Sequence, residues 1–416
     1  MSLDVPTIRR QFPSLQSQTV FFDNPGGTQV PQIVIDRMVT YYQESNANQF
    51  GAFATSQASD GIIDEARSAV ADLLNASRPE EIVFGPNMTS LTLALSRSLA
   101  NELSEGDEII VTRLDHDANI SPWMQIAEAR GATLQWLDFD VEDCTLLQSQ
   151  FDELLSEKTR LVALGYASNA VGTINPIKTM IRKARGVGAL TFIDAVQYTP
   201  HGPIDVQDLD CDFLVISAYK FFGPHMGMLY GKYEHLDRLR AYKVRPAPDD
   251  PPGKFETGTK NHEGIAGVLG AIEYLAWIGD CYGVEGEFDT DRFRDRALQL
   301  HRAMHTIQQD EITLTQTLIE ALEAIPQIHI WGITESPRLL DRVPTVSFTM
   351  DDHPPRKIAK HLAQAGINVW DGNYYALAVT ERLGLENTGG MLRVGLVHYN
   401  SLDEIERLHD ALKVLT

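Results

Sequence analysis

Positive charge is in short supply in this sequence: 35 lysines and arginines stand against 57 aspartates and glutamates, a formal net charge of −22 at pH 7. Such a chain repels nucleic acid and anionic membrane surfaces, so any anionic ligand must be held by local donors rather than by the global field. Cysteine is scarcer still. Cys144, Cys211 and Cys281 are widely separated and show no CxxC or Cys/His spacing, which argues against a disulfide framework and a structural zinc site. Free thiols and no metal are expected. No apolar stretch reaches the roughly 18 to 20 residues that cross a bilayer, and the start, Met1-Ser-Leu-Asp-Val-Pro, lacks the basic and apolar regions of a signal peptide. A cytoplasmic protein that touches neither membrane nor nucleic acid is expected, and the composition points to a small-molecule pocket.

What is present is a long, patterned chain. At about 150 residues per domain, 416 residues imply two or three domains, and a 43% hydrophobic, 22% charged composition is that of a soluble globular protein. From about residue 60, helical periods alternate with short apolar runs: strands are expected near 81–84, 107–112, 133–137, 159–166, 190–194, 211–217 and 228–231, with helices between most of them. That alternation predicts an α/β fold with a mainly parallel sheet and ligands at the carboxyl ends of its strands. A turn-rich loop at 246–253 and helical stretches at 263–278 and 291–322 lead to a smaller α/β unit. The expected organisation is an arm at 1–20, a large domain at 21–285 and a small domain at 286–416.

Lys220 ends the run Cys211-Asp-Phe-Leu-Val-Ile-Ser-Ala-Tyr-Lys220 and is followed by Phe221, Phe222 and Gly223. An amine in that setting is partly desolvated, and its pKa falls toward the range of a nucleophile. Asp194 ends a second apolar run, Leu190-Thr-Phe-Ile-Asp194. Together they point to pyridoxal phosphate, which a lysine carries as a Schiff base and whose pyridine nitrogen faces an aspartate. The cofactor's other needs have candidates too. His116 follows a strand and offers an imidazole to stack on the ring. Gly85-Pro-Asn-Met-Thr-Ser90 joins a strand to a helix, so the Thr89 hydroxyl, the backbone around Met88 and the helix N-terminus suit a phosphate dianion. Gln197 suits the phenolic oxygen, Ser217 the phosphate, and Asn169 the phenolic side or the substrate.

The segments Phe22-Asp-Asn-Pro-Gly-Gly27, Asp115-His-Asp-Ala-Asn119, Ser168-Asn-Ala-Val-Gly172, Asp194-Ala-Val-Gln197, Ser217-Ala-Tyr-Lys220, Phe255-Glu-Thr-Gly-Thr259 and Leu392-Arg393 occur in one order along the chain. In that order the sequence resembles the class V aminotransferases, fold-type I pyridoxal phosphate enzymes, and among them the cysteine desulfurase and selenocysteine lyase branch. The resemblance covers nearly the whole chain. It implies a large domain with a mainly parallel, seven-stranded sheet and a smaller C-terminal α/β domain. Lys220, Asp194 and His116 then have catalytic roles, with Met88, Thr89, Asn169, Gln197, Ser217 and Tyr219 around the cofactor. It also implies a homodimer in which Gly258 and Thr259 reach the neighbouring subunit's phosphate. Arg393 takes the place of the family's clamp for the substrate α-carboxylate, and Asn24, Gly26, Asn169 and Tyr375 join it around a small amino-acid substrate.

Three departures shape the expected chemistry. Desulfurases of this branch carry a loop ending in Gly-His-His-Cys, whose thiolate takes sulfur from the substrate; here the corresponding stretch is Val369-Trp-Asp-Gly-Asn-Tyr-Tyr-Ala376, with Tyr375 in the cysteine's place. A phenol cannot form a persulfide. Trp370 stands where a second substrate-binding arginine often lies, and Tyr219 replaces the histidine that commonly precedes the lysine. The expectation is a lyase that breaks a C–S bond by β-elimination without an enzyme persulfide. An aminotransferase or an epimerase is the alternative within the class, and a non-catalytic cofactor-binding protein is the alternative outside it.

Overall fold

The computed structural model describes residues 3–284 and 292–416, so the expected boundary between 285 and 286 lies outside the described residues. The short strand β1 (Val20–Phe21) precedes the strands of a seven-stranded sheet: β2 (Ile82–Gly85), β3 (Glu108–Thr112), β4 (Thr133–Leu137), β5 (Thr159–Gly165), β6 (Leu190–Asp194), β7 (Phe213–Ser217) and β8 (Gly227–Gly231). Their spatial order is β2-β8-β7-β6-β5-β3-β4. Only β8 runs antiparallel to its neighbours, β2 and β7. Residues of β7 and β8 are buried throughout, as expected of strands covered by helices on both faces. The sequence-expected strands all form within a few residues of their expected limits.

After the long helix Asp295–Glu323 come β9 (Ile328–Trp331), β10 (Thr345–Met350), β11 (Ile367–Asn368), β12 (Trp370–Gly372) and β13 (Met391–Gly395). β12, β13, β10 and β9 make a four-stranded antiparallel sheet, and β1 pairs with β11 in parallel. Val20 and Phe22 therefore pack with Val346, Phe348, Leu392 and Ile405 in the hydrophobic core of the C-terminal unit. The segment that begins the expected large domain is thus hydrogen-bonded to C-terminal strands, including a bridge from Asp23 to Gly395. It brings Pro25 and Gly26 to the same edge as the ends of β6 and β7.

Against the expectation of no such stretch, the helix His262–Tyr282 is long and apolar enough by composition to cross a membrane; 72% of its apolar stretch is buried inside the protein. Burial is achieved by packing against the helices Gln32–Thr40, Ala54–Leu74 and Asp295–Glu323. Gly279 permits the closest approach, since a Cβ there would stand 2.0 Å from the Gln299 carbonyl oxygen, and Gly270 another, at 3.0 Å from the Val34 Cα. Each large aliphatic side chain so buried contributes about 1.5–3 kcal/mol.

Candidate active site

The carboxyl ends of β3, β5, β6 and β7 open into a cavity of about 1140 Å³. β6 ends on Asp194, β7 on Ser217, and a 3₁₀ turn, Ala218–Lys220, sets Lys220 behind it. The Lys220 ammonium group donates to the Pro25 carbonyl and, at 3.3 Å, to Gln197 Oε1. Burial pushes this amine down to about 7; the Arg393 charge adds to the shift and Asp194 opposes it. Asp194 is also buried, which raises its carboxyl to about 6 against a hydrogen bond from the Val196 amide and the Lys220 charge. The sequence-expected pair is therefore assembled, with both pKa values displaced toward neutrality.

Arg393 reaches the same cavity from β13, where Trp370 is its strand partner. Its Nη1 donates to the Asn169 carbonyl at 2.7 Å and its guanidinium lies 4.1 Å from the centre of the Tyr374 ring. Its Nε is buried and without a hydrogen-bond partner. Asn169 donates its amide to the Tyr374 carbonyl at 2.9 Å and leaves its own Oδ1 unpartnered. Gln197 spends one N–H on Thr345 Oγ1 at 3.0 Å, leaving the other for a ligand.

His116 lines the cavity beside Tyr375, with the two rings stacked. Its Nδ1 accepts from the Ala118 amide at 3.0 Å, and burial, helped by the Lys220 and Arg393 charges, pushes the imidazole down to about 4. It is a neutral, flat ring at physiological pH. Tyr374 and Tyr375 both adopt left-handed backbone, at φ 55° and 58°. Strain of that kind, about 1–3 kcal/mol per residue, persists only where the surroundings hold it. Here Asn169 grips the Tyr374 carbonyl and the Asp117 amide grips that of Tyr375 at 2.7 Å. Gly26 also lines the cavity, pressed so closely by the Trp370 indole that a Cβ would collide with it.

At the far end the helix Met88–Leu99 begins, with Met88 and Thr89 on the cavity wall. Gly227 makes this approach possible, because a Cβ there would run into the backbone of Asn87 and Met88. Ser217 Oγ, buried with no partner, belongs to the same wall. Tyr219 stacks on His225, with ring centroids 5.3 Å apart, and its ring centre lies 5.6 Å from the Lys220 nitrogen.

Three expected residues are not brought to the cavity. Asn24 is a correction: its amide donates to Phe21 O, Gly395 O and Asn400 Oδ1 and its oxygen accepts from Tyr399, so the side chain ties β1 to the C-terminal sheet and has nothing left for a substrate. Gly258 and Thr259 are exposed on a loop outside the cavity of their own chain. Asp115 is the residue that sequence reasoning passed over. It accepts from the Gly165 amide at 3.0 Å and from Asn119 at 2.8 Å. Burial pushes its carboxyl up to about 7, the nearby Asp194 charge adding to the shift. Its place beside His116 in a polar run was the available signal.

Unpartnered buried polar atoms need a ligand or water. Ser217 Oγ, Asn169 Oδ1 and Arg393 Nε are three such atoms among the residues that line the cavity. With a helix N-terminus for an anion, an amine at Lys220 and a carboxylate at Asp194, they fit pyridoxal phosphate and an amino-acid carboxylate.

This α/β architecture, with its mostly parallel seven-stranded sheet and lysine–aspartate site, is the fold-type I class of pyridoxal-phosphate-dependent enzymes. The chain belongs to the class-V aminotransferase family, whose model matches residues 20–280 and 297–408. Members of that family use pyridoxal 5'-phosphate. A cysteine desulfurase of Pectobacterium carotovorum is 32% identical across 98% of this chain and 97% of its own length. An aminotransferase-like protein of Gibberella zeae is 34% identical across 100% and 99%. Among solved structures, an apo cysteine desulfurase from Thermococcus onnurineus superposes with a TM-score of 0.87 at 26% identity, covering 100% of this chain and 99% of that one.

Proposed function

We propose that the protein is a C–S lyase that cleaves a cysteine-type amino acid by β-elimination and forms no persulfide on itself. One observation carries this reading: no cysteine lines the cavity, and the loop that presents a thiol in desulfurases of this branch presents Tyr375. Cys144 and Cys211 are buried elsewhere, and burial pushes both thiols up to about 12, far from the reactive range. Cys281 is exposed on the helix His262–Tyr282.

When bound, the cofactor withdraws electrons from the substrate's α-carbon and makes its proton acidic. Arg393 holds the α-carboxylate and so fixes which bond faces Lys220. Lys220, with its pKa near 7, has a substantial unprotonated fraction at neutral pH and takes the Cα proton. Asp194, ionised above about pH 6, keeps a proton on the ring nitrogen. The Cβ–S bond then breaks and sulfur leaves with the electron pair. Addition of water gives thiol, pyruvate and ammonium, with no oxidant and no enzyme thiol.

The aminotransferase reading is kept as second because a relative of aminotransferase-like description is as similar as the desulfurases. The test is to incubate the purified protein with L-cysteine, L-cystine and keto acids and to score pyruvate, sulfide, transferred amino groups and inverted stereochemistry separately. Pyruvate with sulfide supports the lyase; transfer to a keto acid contradicts it. A protein that stays colourless with added cofactor, or a visible band that survives Lys220→Ala, contradicts the cofactor assignment itself.

The same reading includes a homodimer. Val39, Tyr42, Phe50 and Phe53 are exposed large hydrophobics within a short length of chain, a concentration that a partner surface would cover. Sedimentation at micromolar concentration reads the mass directly.

A further inference from the structure

The mouth of the cavity carries charges that the elimination chemistry does not use. Asp117, Asp371 and Glu386 line it together with Trp370 and Tyr375, which are 48% and 76% exposed. Arg356 neutralises Asp371 at 3.0 Å. Asp117 accepts from Ser121 at 2.5 Å, and Glu386 accepts from Asn373 at 3.2 Å and Thr380 at 2.5 Å. Among the described residues neither carboxylate is paired with a cation. The lysine and arginine side chains on the cavity wall are Lys220 and Arg393, both deeply buried. Arg393 keeps an unpartnered Nε, and Asn169 an unpartnered Oδ1, each in a side chain no more than 6% exposed.

The site is thus asymmetric. One guanidinium deep inside, its Nε unpartnered, suits one carboxylate, while two uncompensated anions and two aromatic rings at the mouth repel a second carboxylate and attract a cation. The space is also generous: about 1140 Å³ exceeds the roughly 300–1,000 Å³ of ordinary small-molecule pockets.

We propose that the substrate is a cysteine S-conjugate whose sulfur substituent carries a positive charge, held at the mouth by Asp117 and Glu386 against Trp370 and Tyr375. This rests on the C–S lyase reading for the fate of the bond, but not for which ligand binds. The reaction balances as before: conjugate and water give a cationic thiol, pyruvate and ammonium.

Binding and chemistry are read separately. The cofactor's visible spectrum in the holoenzyme is titrated at low salt with L-lysine, L-norleucine and L-glutamate, none of which has a sulfur to eliminate. Lysine is expected to bind at least ~10-fold more tightly than norleucine, and glutamate more weakly than either. Asp117→Asn and Glu386→Gln are each expected to bring the lysine-to-norleucine ratio toward one. That ratio is taken within one preparation, so partial unfolding of a variant does not move it. Equal affinities, or glutamate binding best, would overturn the proposal. Turnover is then compared for S-(2-aminoethyl)-L-cysteine, S-methyl-L-cysteine and unsubstituted L-cysteine, scoring pyruvate. The aminoethyl conjugate turning over fastest supports the substrate class. If the binding order holds and no conjugate gives pyruvate, the lyase reading fails while the charge preference stands.

Discussion

Tyr375 lies on the imidazole of His116, with ring centroids 5.6 Å apart and planes inclined by 19°. The residue that stands in place of the desulfurase cysteine therefore covers part of the ring expected to stack on the cofactor. Because the tyrosine is 76% exposed, Tyr375→Ala should cost no more than about 1.5 kcal/mol of stability in a denaturant melt, the worth of one aromatic pair. A loss above about 4 kcal/mol would show that it supports the fold rather than the mouth of the site.

Gly26 and Trp370 should be coupled. Gly26→Ala places a Cβ against the indole, and overpacking of this kind costs about 1–3 kcal/mol. Trp370→Ala removes the obstacle, so the double variant should recover most of that loss. A double variant as unstable as the sum of the two would contradict the contact.

Asp115 predicts a pH dependence of stability for the cofactor-free chain. Its carboxyl moves from an ordinary 3.8 to about 7 on folding. The folded state keeps a proton that the unfolded chain releases, so the group's contribution is full below about pH 4 and is lost as pH rises through 7. Asp115→Asn removes this slope. Denaturation at pH 5, 6, 7 and 8 should show the variant gaining on the wild type as pH rises. Parallel curves would contradict the raised pKa. Lys220, lowered from 10.5 to about 7, acts in another window, and its cost to the fold is relieved between pH 7 and 10.5.

Arg393→Lys should weaken amino-acid binding at least ~10-fold, because an ammonium cannot replace a planar two-pronged donor. The spectral titration of the holoenzyme reads this without turnover. Unchanged affinity would remove Arg393 from the substrate's carboxylate.

The fold was legible because strand-length apolar runs separated by helical periods leave few alternatives to a parallel α/β sheet. Lys220 and Asp194 were legible because a charged side chain at the end of a buried strand is unusual. What escaped depends on contacts distant in sequence. Asn24 looked like a site residue until its hydrogen bonds to Gly395 and Asn400 were seen, more than 370 positions away. Asp115 gave no local sign of its interaction with Asp194, and Gly26 none of the Trp370 indole above it.

The most direct test of the account is the product of L-cysteine. The lyase reading predicts pyruvate, ammonium and free sulfide in equal amounts, with the protein's mass unchanged after a single turnover. Alanine as the product, with sulfur bound to one of the three cysteines, would contradict it.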